Sequence, residues 1–255
     1  MFLSAAARAA PRVLSLDQCA DQFVLALSPR PAIVGLSMRA DDADSRLATL
    51  ARGLPKRRVD LETVLAARPE VVVRYWGGEP SLLAALRRRH VEVVTISEAT
   101  SFAGVRDNIR RVAGALGQAQ AGAALITQMD ARLAQATDAW KGQRALYLTP
   151  GGVTAGQGTL VDAILRAAGL TNAEYRPGFQ TVSLEALALE PPKAVVLGFF
   201  DSAQATGDGF GAGRHQFLQR LARDRAIARL PGALLGCPNW SAGEAVERLA
   251  RAAPP

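Results

Sequence analysis

The chain has 255 residues, 49% hydrophobic and 21% charged, and a formal net charge of +7. Such a composition suits one large or two modest cores and excludes disordered and fibrous classes; apolar runs such as 71–73 and 194–198 fall far short of the roughly 18 residues of a membrane span. Nor does the positive charge point to nucleic acid, because every basic residue except Lys56, Lys141 and Lys193 is a scattered Arg or His, and the dense clusters at 56–58 and 87–89 have no interleaved aromatics.

In chain order, residues 1–11 read MFLSAAARAAP, small residues with the Ala7-Arg8-Ala9 pattern of a secretory cleavage site and no apolar core ahead of it. The segment is expected to be a signal-peptide remnant or disordered. A strand over 12–16 opens the fold, followed by a turn and a helix at about 18–27. Asp41, Asp42 and Asp44 lack the Gly and distal Glu of a calcium loop and read as a solvated turn. Residues 59–73, VDLETVLAARPEVVV, predict a short helix, a Pro stop and a buried strand. A strand over 91–96 and a helix near 102–116 complete the first half. Residues 118–140 then predict one helix roughly 30 Å long, with Leu125, Met129, Leu133 and Ala136 along one face.

The second half repeats the first. A strand over 144–148 and a helix over 159–168 lead to VSLEALALEPPKAVV at 182–196, in which Leu184, Glu185, Pro192 and Ala194 each stand 123 positions after Leu61, Glu62, Pro69 and Val71. A strand over 232–236 and a helix over 241–251 close it. Alternating strand and helix imply parallel sheets with helical cover. The expected fold is therefore α/β: two Rossmann-like lobes with mainly parallel sheets, joined by a single long helix, with a ligand cleft between the lobes. The expected boundaries are 1–11 for the signal-like arm, 12–117 for the first lobe, 118–141 for the connecting helix and 142–255 for the second lobe.

Ligands of parallel α/β sheets sit beyond the carboxyl ends of the strands. Those ends carry Asp17 and Gln18; Tyr75, Trp76, Gly77 and Gly78; Ser97 and Glu98; Thr149, Pro150, Gly151 and Gly152; Phe199, Phe200 and Asp201; Asn239 and Trp240. Aromatics form only 5% of the chain, yet five stand here, and Trp76 and Phe199 are repeat-equivalent. The candidate ligand-binding residues are Gln18, Arg39, Tyr75, Trp76, Gly151, Phe199, Phe200, Arg214, Asn239 and Trp240, walls for a large, flat or greasy ligand. The Gly-rich segment 201–214 is long enough to bring Phe210 and Arg214 to such a site. At 150–159, the amides of Gly158 and Thr159 suit an anion at a helix N-terminus, although no P-loop or dinucleotide fingerprint is present.

Catalytic signals are thin. His90 and His215 lack an Asp or Ser at a motif spacing, no G-x-S-x-G occurs, and two His are too few for a typical zinc or manganese site. No catalytic residue, metal ligand or resident cofactor is assigned. The alternative reading is a two-lobed α/β enzyme acting on a phosphorylated or nucleotide-like small molecule through 150–159. Cys19 and Cys237 read either as two partly buried thiols or as a pair formed in an oxidising compartment.

The segments RVLSLDQCADQ, LETVLAARPEVVVRYWGG and LEALALEPPKAVVLG resemble the substrate-binding proteins of ABC importers for cobalamin and ferric siderophores. The likeness to the cobalamin-binding member is strongest over 59–105, and Pro238, Asn239 and Trp240 match a ligand-contacting turn of that family. The resemblance, which runs from about Arg12 to Ala250, implies a periplasmic monomer that is not an enzyme. It implies a metal chelate, cobalamin or a ferric siderophore, delivered to an ABC permease and ATPase at the inner membrane, with no nucleic-acid partner. By position, Tyr75 or Trp76 would stack on the chelate from one lobe, while Asn239 and Trp240 would contact it from the other. An anionic siderophore would favour Arg39, Arg74 or Arg214, and heme would draw on Tyr75 or His215 as axial ligand. The family's first docking Glu aligns with Ser81, with Glu79 offset.

Overall fold

The computed structural model describes residues 9–201 and 215–254. The elements are β1 (Val13–Ser15), α1 (Gln18–Leu27), β2 (Ile33–Gly35), α2 (Ala48–Ala51), α3 (Leu61–Ala66), β3 (Val71–Arg74), α4 (Pro80–Arg88), β4 (Glu92–Thr95), α5 (Phe102–Ala115) and α6 (Ala119–Gln135). There follow β5 (Arg144–Leu148), β6 (Val153–Ala155), α7 (Leu160–Ala167), β7 (Thr171–Asn172), β8 (Phe179–Thr181), α8 (Leu184–Leu189), β9 (Ala194–Gly198), α9 (Gln216–Asp224), β10 (Ala226–Leu230), α10 (Gly232–Leu235) and α11 (Ser241–Arg251). They form two compact units, one of residues 9–96 and 109–123, the other of 97–108 and 124–254. The division runs through both α5 and α6.

In the first unit four parallel strands lie in the order β2-β1-β3-β4. Val71, Val72 and Val73 are all buried, as expected for a strand covered on both faces. Leu14, Leu16 and Val72 pack with Val64 of α3 and with Leu82, Leu83 and Leu86 of α4. Sequence sets the helix starts: the Asp60 carboxylate accepts the Thr63 amide at 2.7 Å, and Pro80 opens α4, where no amide partner is needed. Where α5 meets α6, a Cβ on Gly122 would fall 2.5 Å from that of Ala113, so the helices touch only because this position is bare.

The second unit has the parallel order β7-β5-β9-β10, which matches the first strand for strand. The duplication read from the 123-residue spacing is thus a duplication of topology. Alternate side chains of its central strands enter different cores. Tyr147 and Val196 join Ile164, Val246 and Leu249 of the covering helices, while Leu146, Leu148, Val195 and Leu197 join Leu218 and Leu221 of α9. An antiparallel ribbon, β6 with β8, is added to this unit.

Two expectations fail. Residues 232–236, expected as a strand, form α10, and the fourth strand is the less apolar 226–230. Pro231 ends that strand, and the Gly232 amide donates to the Asp201 carboxylate at 2.9 Å, fixing a helical start. The long helix stops at Gln135 rather than 140. Beyond it Asp138 and Lys141 adopt positive φ (62° and 49°), and Trp140 turns inward to donate its indole N–H to the Leu249 carbonyl at 2.8 Å.

Candidate functional site

The first unit presents its candidate residues on a tightly tied turn. Asp17 is buried and caps α1: one carboxylate oxygen accepts the Ala20 amide at 2.9 Å. The other accepts the amides of Tyr75 at 2.7 Å and Gly77 at 3.0 Å. From the other side, Arg74 Nε donates to the Gly77 carbonyl at 2.6 Å. Gly77 is obligatory, since a Cβ there would lie 2.4 Å from the Leu16 carbonyl oxygen, and Gly78 adopts φ of 92°. On this braced turn Trp76 is 60% exposed. An indole left in solvent while its backbone is fixed on both sides is prepared to bind, because little ordering remains to be done on contact.

Of the cations singled out from sequence, Arg39 and Arg74 are engaged. Arg39 pairs with Asp42 at 2.9 Å and Asp44 at 3.0 Å, and Gln18 donates to Asp44 at 2.7 Å. Asp41 pairs with Lys56 at 2.7 Å. The acidic turn is therefore an ion-paired brace, and the hydrogen bond from Lys56 holds the Asp41 carboxyl below its usual range. Among the described residues no group of three or more His, Cys, Asp or Glu could hold a metal ion.

Sequence reasoning missed the end of β2, a strand of three residues. It is followed by Ser37, buried, and Met38, 52% exposed. Ser37 is held by Asp21, a fully buried carboxyl one turn along α1 from Asp17. The readable signal was a second Asp, Asp21, one turn after the Asp17 cap on a helix whose other residues are apolar or Gln.

In the second unit the strand-end residues are built more as props. Phe199 adopts a positive φ of 62°, a strained conformation for a bulky residue. Its ring lies against α10, where a Cβ on Gly232 would come within 2.7 Å of it. Phe200 packs on the core with Leu148 and Leu197, and the Arg229 guanidinium stands 6.0 Å from its ring centre. Asn239 has no exposure; its side-chain oxygen accepts the Ser241 amide at 2.8 Å, so it shapes the turn before α11 rather than facing solvent. Trp240, half-buried, is the N-cap of α11. Gly151 sits in the tight β5–β6 turn closed by Gly152 N–H to Thr149 O at 3.0 Å. Phe210 and Arg214 lie outside the described residues.

The anion reading of 150–159 finds a different arrangement. The segment contains β6, and Thr159 caps α7 itself, accepting the Asp162 amide at 3.1 Å. Asp162 places a carboxylate in that first turn, paired with Arg166 at 3.0 Å, so the dipole is already complemented. His90 is exposed ahead of β4, at the amino end of the sheet, and His215 Nδ1 accepts the Phe217 amide at 3.3 Å as the cap of α9. A groove of about 830 Å³ runs beneath α8, but Arg144, Glu190 and Lys193 put its rim at the amino ends of β5 and β9, opposite to the strand ends that bind ligands in such sheets. Among the described residues no helix is long and apolar enough to cross a membrane.

Residues 13–233 match the family described as periplasmic binding protein. Among solved structures, the chain is similar to the periplasmic heme-binding protein BhuT in complex with two hemes: 26% identity, 96% of this chain and 99% of that one, TM-score 0.70. It is also similar to the periplasmic heme-binding protein RhuT of Roseiflexus sp. RS-1 (25%, 95% and 97%, TM-score 0.71). The periplasmic vitamin B12 binding protein BtuF of Vibrio cholerae shares the fold at 18% identity (95% and 96%, TM-score 0.64). No curated protein matches the chain significantly.

Proposed function

We propose, from the premise that this chain belongs to the periplasmic binding protein family, that its cargo is a macrocyclic metal chelate, a porphyrin or a corrinoid. Family membership makes it a non-enzymatic periplasmic receptor that takes up a small chelate for delivery to an ABC permease. The enzyme alternative is set aside with it.

The observation that carries the cargo reading is Trp76, exposed on a turn whose flanking amides are both held by buried Asp17. A rigid aromatic platform suits a flat face. Arg39, the cation an anionic siderophore would favour at the end of β2, is already paired with two carboxylates. Four of the similar structures are named as heme-binding, one as vitamin B12-binding and one as an Fe3+-hydroxamate transport system. Gln18, next to the Asp17 cap, and Arg39, next to the end of β2, are the proposed polar contacts. In the second unit Trp240 and Gly151 are the proposed ligand contacts, with Phe199, Phe200 and Asn239 shaping the strand ends beneath. For heme, the Tyr75 phenol is the proposed axial ligand.

Hemin, cyanocobalamin and a ferric hydroxamate are titrated in parallel, by absorbance and tryptophan quenching. Micromolar or tighter binding of one macrocycle is expected, and with hemin a Soret shift lost in Tyr75→Phe. If only the hydroxamate binds, the macrocycle assignment is wrong. If nothing binds tighter than about 1 mM, roughly 4 kcal/mol, the receptor reading fails altogether.

A further inference from the structure

Met38 follows the carboxyl end of β2 by three residues and Trp76 follows that of β3 by two, and these two strands flank β1 in the sheet order β2-β1-β3. Neighbouring strands lie about 4.8 Å apart, so these ends are separated by roughly 10 Å, the scale of a macrocycle. Both side chains are more than half exposed, and both follow segments locked to a carboxylate of α1. Asp17 serves the Trp76 turn. Asp21 serves the Met38 segment: one oxygen accepts the Ser37 amide at 2.8 Å and the Ser15 hydroxyl, and the other accepts the Ser37 hydroxyl at 2.5 Å. Beyond Met38 the chain is braced again, since the Arg39 amide donates to Ser37 Oγ at 3.2 Å and its guanidinium to Asp42 and Asp44.

We infer that Met38 is a second contact for the cargo, opposite Trp76, and that Asp21 is the positioning residue that holds it there. This rests on the chelate-receptor reading above. A thioether on a fixed backbone offers a soft, polarizable surface to a ring face or edge, and it selects for apolar rather than ionic cargo at the β2 end.

The chemistry of Asp21 gives the lock a pH dependence. Burial is the main cause that pushes its carboxyl up to about 6, with Asp17 on the same helix adding to the rise, while the bonds from Ser15 and Ser37 oppose it. From β1 and the end of β2 the facing side chains are Ser15 and Ser37, which do not titrate. Protonation turns one acceptor oxygen into a donor. The proton can sit on Oδ2 and be donated to the Ser37 hydroxyl, which rotates, while Oδ1 goes on accepting the Ser37 amide, so the protonated carboxyl still closes the lock.

The test compares wild type, Met38→Ala, Asp21→Asn, Ser37→Ala and the Asp21→Asn/Met38→Ala double variant. Hemin and cyanocobalamin are titrated from pH 5 to 8, and hydrogen exchange over 36–40 is followed on the free protein. Expected are a roughly tenfold loss for Met38→Ala and a similar loss for Asp21→Asn, with little further loss when the two are combined. Because the carboxyl binds its proton more tightly inside the lock than outside it, protection over 36–40 should rise below about pH 6 in wild type and stay flat in Asp21→Asn, and exchange should be faster in Asp21→Asn and Ser37→Ala than in wild type. Ser37→Ala keeps the carboxylate and should reproduce part of the loss if Asp21→Asn folds poorly. Unchanged affinity in Met38→Ala, or full additivity of the two single losses, overturns the inference while leaving the receptor reading intact. Absence of any binding by wild type is instead a failure of the receptor reading.

Discussion

Trp76→Ala is the substitution on which the cargo reading is most exposed. A Trp side chain presents up to about 250 Å², and at 60% exposure about 150 Å² of it is left in water. A flat ligand resting on one face covers about half of that, some 75 Å², worth roughly 2 kcal/mol at ~25 cal/mol per Å². Ring–ring geometry adds about 1 kcal/mol. The loss should be roughly 3 kcal/mol, or about a hundredfold in Kd, measured by calorimetry or by absorbance titration with the chelate that wild type binds. Trp76→Phe should retain affinity within about tenfold, since a phenyl keeps a face and gives up area. Thermal unfolding should barely change, because Asp17 grips the main chain at Tyr75 and Gly77 and not the indole. Binding of Trp76→Ala within threefold of wild type would refute the platform argument.

Three further outcomes follow from the same geometry. Asp17→Asn replaces an oxygen that accepts main-chain amides with a donor or a weaker neutral acceptor; a loss of about 2–4 kcal/mol is expected from the urea midpoint, and a loss under 0.5 kcal/mol would mean the turn is held by something else. Gly77→Ala puts a methyl into the Leu16 carbonyl, so both stability and chelate affinity should drop, by at least about 2 kcal/mol in unfolding free energy; an unperturbed variant would contradict the packing at β1. The third concerns acid. The Asp21 carboxyl titrates near 6 in the fold against 3.8 as its ordinary value, so the folded chain holds that proton more tightly. Its contribution is fully present below about 3.8 and is lost as pH rises through about 6, amounting to roughly 3 kcal/mol. Asp21→Asn should flatten the stability profile over that window, and an unchanged slope in chemical unfolding from pH 4 to 7 would sink the assignment.

Much of the architecture was legible because local signals agreed with one another. The helix expected at about 18–27 is α1, and the paired 123-residue spacing marked the second half as a repeat of the first, which the matching strand orders bear out. What failed were short apolar runs. GALLG at 232–236 has a strand's length and hydrophobicity, and only the hydrogen bond from a distant Asp201 decides for helix. Conversely, β2 is so brief that its end was overlooked, and Met38 with it. Within the site, sequence ranked aromatics by position and could not separate a displayed ring from a supporting one. Trp76 stands in solvent, whereas Phe199 is seated on α10 against the bare position of Gly232, and Asn239 is wholly enclosed.

The all-parallel pairing of the two main sheets has a price in time. Val13 must find Ile33 and Val71, and Ala145 must find Ala194, before any ladder closes, and loop closure over such separations makes assembly slow compared with hairpin folds. Meanwhile stretches such as Val71-Val72-Val73 and Val195-Val196-Leu197 remain available to neighbouring chains. Refolding yield should therefore fall steeply with protein concentration, and dilute, slow renaturation is the regime in which the duplicated halves can each find their own partners.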